Sequence, residues 1–207
     1  MKVMGEFLKG QKRCLSLRLL PNELSNFTSL TTPNLCGCLK LTSLPNELGN
    51  LTSLSKLNLS ICLSLKFLPN GLGNLTSLTK INLNGSSSLK SFLNGLGNLT
   101  SLTSLNLNWY LSLTLLLNEL NNLMSLKIFD LNRYSSLTSL PNRLKNLKSL
   151  TKIDLSKCSY LISLTLFNLS LCLSLPFLPN RINNLISLTK FNLYYYLSLI
   201  ILLNKLD

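Results

Sequence analysis

Apolar residues recur along this chain in a fixed frame. From Leu54 to Leu78 they fall at Leu54, Leu57, Leu59, Cys62, Leu65, Leu68, Leu72, Leu75 and Leu78, with mostly polar or small residues between them. Leu57 and Leu59 alternate with Lys56, Asn58 and Ser60, which predicts a short strand with leucine on one face and polar side chains on the other. A Pro-Asn or Leu-Asn step then returns at Pro21, Pro45, Pro69, Leu93, Leu117 and Pro141, a constant period of 24. Between strands, the segment Pro45 to Leu51 turns the chain back. Pro45 restricts the entry, Asn46 is placed to cap a short helical or 3₁₀ turn, and Gly49 to end it, so no long helix fits. One such unit cannot bury its own leucines. Stacked units can, by pairing their strands into a parallel sheet on the concave side of a solenoid.

The L-x-x-L-x-L spacing of Leu54, Leu57 and Leu59, followed by Cys62 and repeated at that period, is that of a leucine-rich repeat. The expected fold is therefore an α/β repeat: a leucine-rich-repeat solenoid with a parallel concave sheet and short irregular or 3₁₀ convex segments. It forms a single domain over residues 1–207, about eight units long. Strands are expected at Leu57/Leu59, Ile81/Leu83, Leu105/Leu107 and Phe129/Leu131. Residues 1–29 hold a degraded first unit, with Lys9 and Gln11 where strand leucines belong, and Pro33 replaces a strand leucine in the next. Leu93, Leu117 and Leu203 take the place of the convex proline. The frame breaks once, because Leu150 to Leu164 is a step of 14, whereas Leu164 to Leu188 is again 24. Residues 150–188 are accordingly expected to make one enlarged irregular turn; the alternative is two strand segments competing for one place. Neither end has a capping unit, which predicts end-to-end association or a piece of a longer protein.

Composition changes this picture little. Apolar residues make up 46% of the chain, mostly leucine, and no run approaches the roughly 18 residues of a membrane span. Lys2, Glu6, Lys9, Lys12, Arg13 and Arg18 interrupt any signal-peptide core, so the expected location is cytoplasmic. Cys14, Cys38, Cys62, Cys158 and Cys172 share one slot, three residues after the second strand leucine, and Cys36 lies outside it. Free buried thiols are expected there, rather than a disulfide framework or a zinc site. Tyr110, Tyr134 and Tyr196 occupy the same slot, where their bulk should swing outward or distort the turn. Asn26, Asn50, Asn58, Asn74, Asn84, Asn98 and Asn168 begin N-x-S/T sequons, most of them by-products of the repeat.

Catalytic chemistry finds little to work with. The chain has no histidine, seven acidic residues and neither of the glycine-rich nucleotide motifs. Asp130 and Asp154 are equivalent in successive strands and make a candidate carboxylate pair, or simply two variants of an asparagine column. The expectation is a non-enzymatic binding scaffold with no cofactor, metal or small-molecule substrate. The outward strand positions form two columns. One holds Lys56, Lys80, Ser104, Ile128, Lys152, Leu166 and Lys190; the other holds Asn34, Asn58, Asn82, Asn106, Asp130, Asp154, Asn168 and Asn192. The candidate partner-binding residues are Lys56, Asn58, Lys80, Asn82, Asn106, Asp130, Lys152, Asp154, Lys190 and Asn192, with Tyr194 and Tyr195 as aromatic anchors. With a net charge of +13 they suit an acidic protein, or act only as a solvated face. A nucleic acid fits less well, for want of stacking platforms along the sheet.

The run from Leu54 to Leu78, with Cys62 and Pro69, resembles the leucine-rich repeat regions of plant nucleotide-binding disease-resistance proteins, over about residues 14–207. The resemblance implies the sensor portion of such a protein, which recognises pathogen effectors or altered host proteins and restrains a nucleotide switch absent from this sequence. Two alternatives stand beside it: a cytosolic repeat adaptor in signalling unrelated to defence, and a truncated non-functional fragment.

Overall fold

The computed structural model describes residues 15–90, 95–109, 120, 122–134 and 147–154, and the backbone of 166–168 and 190–192. Five strands of three residues each, β1 (Lys56–Asn58), β2 (Lys80–Asn82), β3 (Ser104–Asn106), β4 (Ile128–Asp130) and β5 (Lys152–Asp154), form one parallel sheet in chain order. Every rung is in 24-residue register, with Lys56 opposite Lys80 and Lys80 opposite Ser104. The central residue of each strand, Leu57, Ile81, Leu105, Phe129 and Ile153, is buried. The fold is a leucine-rich-repeat solenoid.

Alternation alone makes a strand; hydroxyl groups hold the strands in step. Ser55, Thr79, Thr103 and Thr151 each donate a side-chain hydrogen bond to the backbone carbonyl of the residue 24 positions earlier, at 2.8–3.2 Å. The same carbonyls accept two backbone N–H groups, as Thr79 and Lys80 do on Ser55. A slip of one residue would break all of these and turn every leucine outward. Beneath the sheet, Leu65, Leu68, Leu72, Leu75 and Leu78 of one turn are buried among their counterparts from the next. Each contributes on the order of 1.5–3 kcal/mol by leaving water.

On the convex side the chain makes single 3₁₀ turns at Asn22–Asn26, Asn46–Asn50, Asn70–Asn74 and Leu96–Asn98. Sequences such as N-G-L-G-N are poor helix formers, and the chain must return within a few residues, so helices do not extend. Asn46 does not cap its turn. Pro45, extended at φ −71°, stands at the cap position with no side-chain bond, and Asn46 is already inside. Gly49 does not end the turn either; its role is close approach. A Cβ on Gly49 would land on the carbonyl of Gly71, and one on Gly71 on the carbonyl of Asn46.

Pro33 is buried in the place of a strand leucine, and the strand there shrinks to a single bridge, Asn34 to Asn58. In the first unit, of which residues 1–14 lie outside the described residues, Leu20 and Leu24 are buried and Leu19 bridges Ser43. At the frame break, β6 (Leu166–Asn168) pairs with β7 (Lys190–Asn192) in 24-residue register as a separate two-stranded sheet. Residues 155–165 and 169–189, most of the expected irregular turn, lie outside the described residues.

Tyr134 corrects an expectation. It is fully buried, and its backbone N–H reaches the Leu131 carbonyl at 3.1 Å, as Ser86 reaches Leu83 at 3.1 Å. The slot opens into the core between leucine layers and takes an aromatic ring without changing the turn. Tyr110 and Tyr196 lie outside the described residues.

Candidate functional site

The concave face is built of three rows, each produced by the 24-residue frame. In the first, Lys56, Lys80 and Lys152 are exposed, Ser104 is half-buried and Ile128 is 44% exposed. None of these lysines makes an ion pair or side-chain hydrogen bond with another described residue. Lysines at adjacent rungs, Lys56 and Lys80, stand in direct register. At the spacing of neighbouring strands, about 4.8 Å, their repulsion in water is a little under 1 kcal/mol, and the long stems relieve it by splaying.

The second row also has a structural task that the sequence reading did not foresee. The Oδ1 atoms of Asn58, Asn82 and Asn106 accept the backbone N–H of Ser60, Asn84 and Asn108, at 3.1, 3.0 and 2.9 Å. Asp130 accepts that of Asn132 at 3.0 Å, and Asn34 that of Cys36 at 3.1 Å. These are Asx turns, in which a side chain two residues back replaces a backbone partner and bends the chain out of the strand. The row shapes the corner of the solenoid. For Asn58, Asn82 and Asn106 the amide nitrogen has no partner among the described residues. Asp130 and Asp154 are register partners, so the carboxylates are brought to adjacent rungs, but Asp130 is engaged in its turn.

The third row was not singled out from the sequence. Gly37, Ile61, Gly85, Trp109 and Arg133, at successive steps of the same period, all have positive φ, between 56° and 73°. The glycines at 37 and 85, two periods apart, were the available signal. For the first four, the backbone N–H is held by the carbonyl of Ser60, Asn84, Asn108 and Asn132, at 2.7–3.0 Å. Ile61 and Trp109 are about half exposed, and the Arg133 guanidinium lies 4.1 Å from the centre of the Trp109 ring.

Under the corner, the cysteine slot is a hydrogen-bonding position. The Cys62 thiol donates to the Leu35 carbonyl at 3.2 Å; Ser86 donates to the Leu59 carbonyl at 2.7 Å and accepts the Cys62 N–H at 3.2 Å. Burial pushes the Cys62 thiol up to about 12, so it stays protonated and unreactive. Cys62 and half-buried Cys36 are free, but Cys38 is disulfide-bonded, contrary to the expectation of free thiols throughout. Neighbouring strands are about 4.8 Å apart, inside the roughly 4.4–6.8 Å between Cα atoms that a disulfide spans, so repetition in one slot does not by itself argue against a bridge.

Of the other candidates, Lys190 and Asn192 pair by backbone with Leu166 and Asn168. Tyr194 and Tyr195 lie outside the described residues. Among the described residues no helix is long and apolar enough to cross a membrane.

No protein-family model matches the chain, and no curated protein sequence does. Solved structures do. The leucine-rich repeat domain of the type III effector XopL is 23% identical, with a TM-score of 0.61 over 96% of this chain and 75% of that one. The Arabidopsis receptor kinase HAESA, solved with the peptide hormone IDA, is 21% identical over 84% of this chain and 31% of its own, with a TM-score of 0.47. The ectodomain of GASSHO1/SCHENGEN3 from Arabidopsis thaliana is 22% identical over 85% of this chain and 25% of its own, with a TM-score of 0.45. The likeness to XopL is one of fold.

Proposed function

We propose that this chain is a non-enzymatic protein-recognition scaffold that draws an acidic protein segment along its concave face, and that it serves as the sensor repeats of a plant disease-resistance protein. The observation that carries the reading is the first row: Lys56, Lys80 and Lys152 are exposed in one column with no intramolecular counter-ion among the described residues. Unneutralised charge on a fixed sheet steers an oppositely charged partner and sets its register. In the sequence Lys190 holds the same frame position, on the separate β6–β7 sheet, and Tyr194 and Tyr195 are the aromatic anchors proposed from the sequence. The defence role comes from the sequence resemblance.

The test reverses charge at Lys56, Lys80, Lys152 and Lys190, against a control set at Lys40, Lys66, Lys90 and Lys148. Salt-sensitive co-purification of an acidic protein from plant extract, lost only with the first set, is the expected result. Equal losses from both sets would leave general electrostatics and no site. For the family role, transcript sequence beyond both ends should continue into a P-loop nucleotide-binding domain; an adaptor or a non-functional fragment would lack one. Location belongs to the same proposal. The cytoplasm is the location expected from the sequence, whereas the disulfide at Cys38 favours an oxidising compartment. A fluorescent fusion decides between them.

A further inference from the structure

A solenoid corner needs only backbone at the third row. Gly37 and Gly85 meet that need, since glycine enters the left-handed region without steric cost. Ile61, Trp109 and Arg133 do not. A β-branched residue there is a genuine outlier, and the N–H bonds of Ile61 to Asn84 and Trp109 to Asn132 prevent relaxation. The cost is not recovered by burial, because Ile61 is 47% and Trp109 48% exposed. Strained, bulky and exposed side chains, repeated at one position of the frame, point to use outside the fold.

The row has a shape. Rungs are spaced by about 4.8 Å, so Ile61 and Trp109 stand about 10 Å apart with Gly85 between them. A Cβ on Gly85 would meet, among the described residues, only Ile61, whose Cγ1 lies 3.8 Å away. Gly85 thus leaves a notch in the row, with the Ile61 side chain against it and Trp109 next along on the other side. There Arg133 stacks on the indole, with no hydrogen bond or ion pair to use its donors among the described residues. A guanidinium held over an aromatic ring still presents a planar fork suited to a carboxylate.

We infer that this ridge is the specificity element of the concave site: the notch over Gly85 takes one apolar side chain of an extended protein segment, and Arg133 binds a neighbouring aspartate or glutamate of that segment. The inference rests on the protein-recognition reading above and adds the residue pair that the partner must contain. Charge complementarity commits the occupant, since Arg133 and the lysines of the first row face the same bound chain.

Trp109 is the single tryptophan of the protein, so its emission reports directly on the ridge. Random peptides displayed on phage are selected on the full chain, and the best is synthesised. Selected peptides should pair an acidic with an adjacent apolar residue, and titration should shift Trp109 emission to the blue as the ring leaves water. The combined variant Ile61→Gly, Trp109→Gly and Arg133→Gly should bind roughly tenfold more weakly or worse, as for loss of an aromatic and an arginine anchor. Its thermal midpoint should be no lower than that of the wild type. A fall in midpoint would assign the side chains to the fold and overturn the inference. Binding that needs Lys56, Lys80 and Lys152 but leaves Trp109 emission unchanged would overturn the ridge and keep the concave site. No selected peptide at all would overturn both. If the combined variant does not fold, Arg133→Gln alone must weaken the same peptide.

Discussion

The Oδ1 atoms of Asn34, Asn58, Asn82, Asn106 and Asp130 all accept a hydrogen bond from the backbone two residues on. Asparagine therefore recurs because either Asn or Asp can close this turn. Asn82→Asp should be nearly neutral, while Asn82→Ala, which leaves the Asn84 N–H without its partner, should cost about 1 kcal/mol in urea unfolding. Lys80→Ala, one position before the strand's buried residue, should cost almost nothing. Equal costs for the two alanine variants would refute the division between corner-shaping and partner-facing rows. Cys62 gives a second residue-level outcome. Its folded value is raised above the usual 9.0 to about 12 by burial, so the unfolded chain loses its proton first. The sign follows: this thiol's contribution is complete below about pH 9 and is lost as pH rises through about 12. In the native protein at mildly alkaline pH, iodoacetamide should label half-exposed Cys36 and spare Cys62, as mapped by peptide mass.

Strand and convex turn were legible to different degrees. The strands followed from alternation and period alone, and β1 to β5 lie where Leu57, Ile81, Leu105, Phe129 and, one period on, Ile153 place them. The convex turns were legible as short, but the parts of Asn46 and Gly49 were misassigned because capping is argued within one unit. The decisive contact is between units, where the Gly49 and Gly71 backbones meet. The third row escaped notice for a related reason. Its conformation is set by hydrogen bonds to the next turn, and only the two glycines betray it in the sequence. The Gly71 contact makes a prediction about the element. Gly71→Ala drives a methyl into the Asn46 carbonyl and should destabilise by about 1–3 kcal/mol as the turns separate. Gly37→Ala meets no atom within 4 Å, but its φ of +73° should still cost about 1 kcal/mol. Thermal unfolding of the two variants, ranked with Gly71→Ala the worse, checks both origins.

Among the described residues the register bonds run between neighbouring turns. Ser55, Thr79 and Thr103 each reach back one turn, as do the strand pairs, so stability accumulates turn by turn. The sheet boundary between β5 and β6 falls where the sequence frame breaks, after Asp154, while β6 and β7 resume the 24-residue step. Where the period is kept, pairing follows it. This makes the period itself testable by deletion. Removing residues 79–102 joins Leu78 to Thr103, which carries the same frame position as Thr79. Thr103 can then donate to the Ser55 carbonyl, and Leu105 can pair with Leu57 where Ile81 did. The shortened chain should fold cooperatively with its β-sheet circular dichroism retained, at a denaturation midpoint moderately below that of the full chain. Removing residues 79–101 instead deletes one residue fewer and puts every later leucine out of phase with the turn before it. That chain should lose its cooperative transition and expose apolar surface to a hydrophobic dye. Comparable midpoints for the two deletions would mean that neighbouring turns are not held by the frame, and would contradict the one-dimensional account of this solenoid.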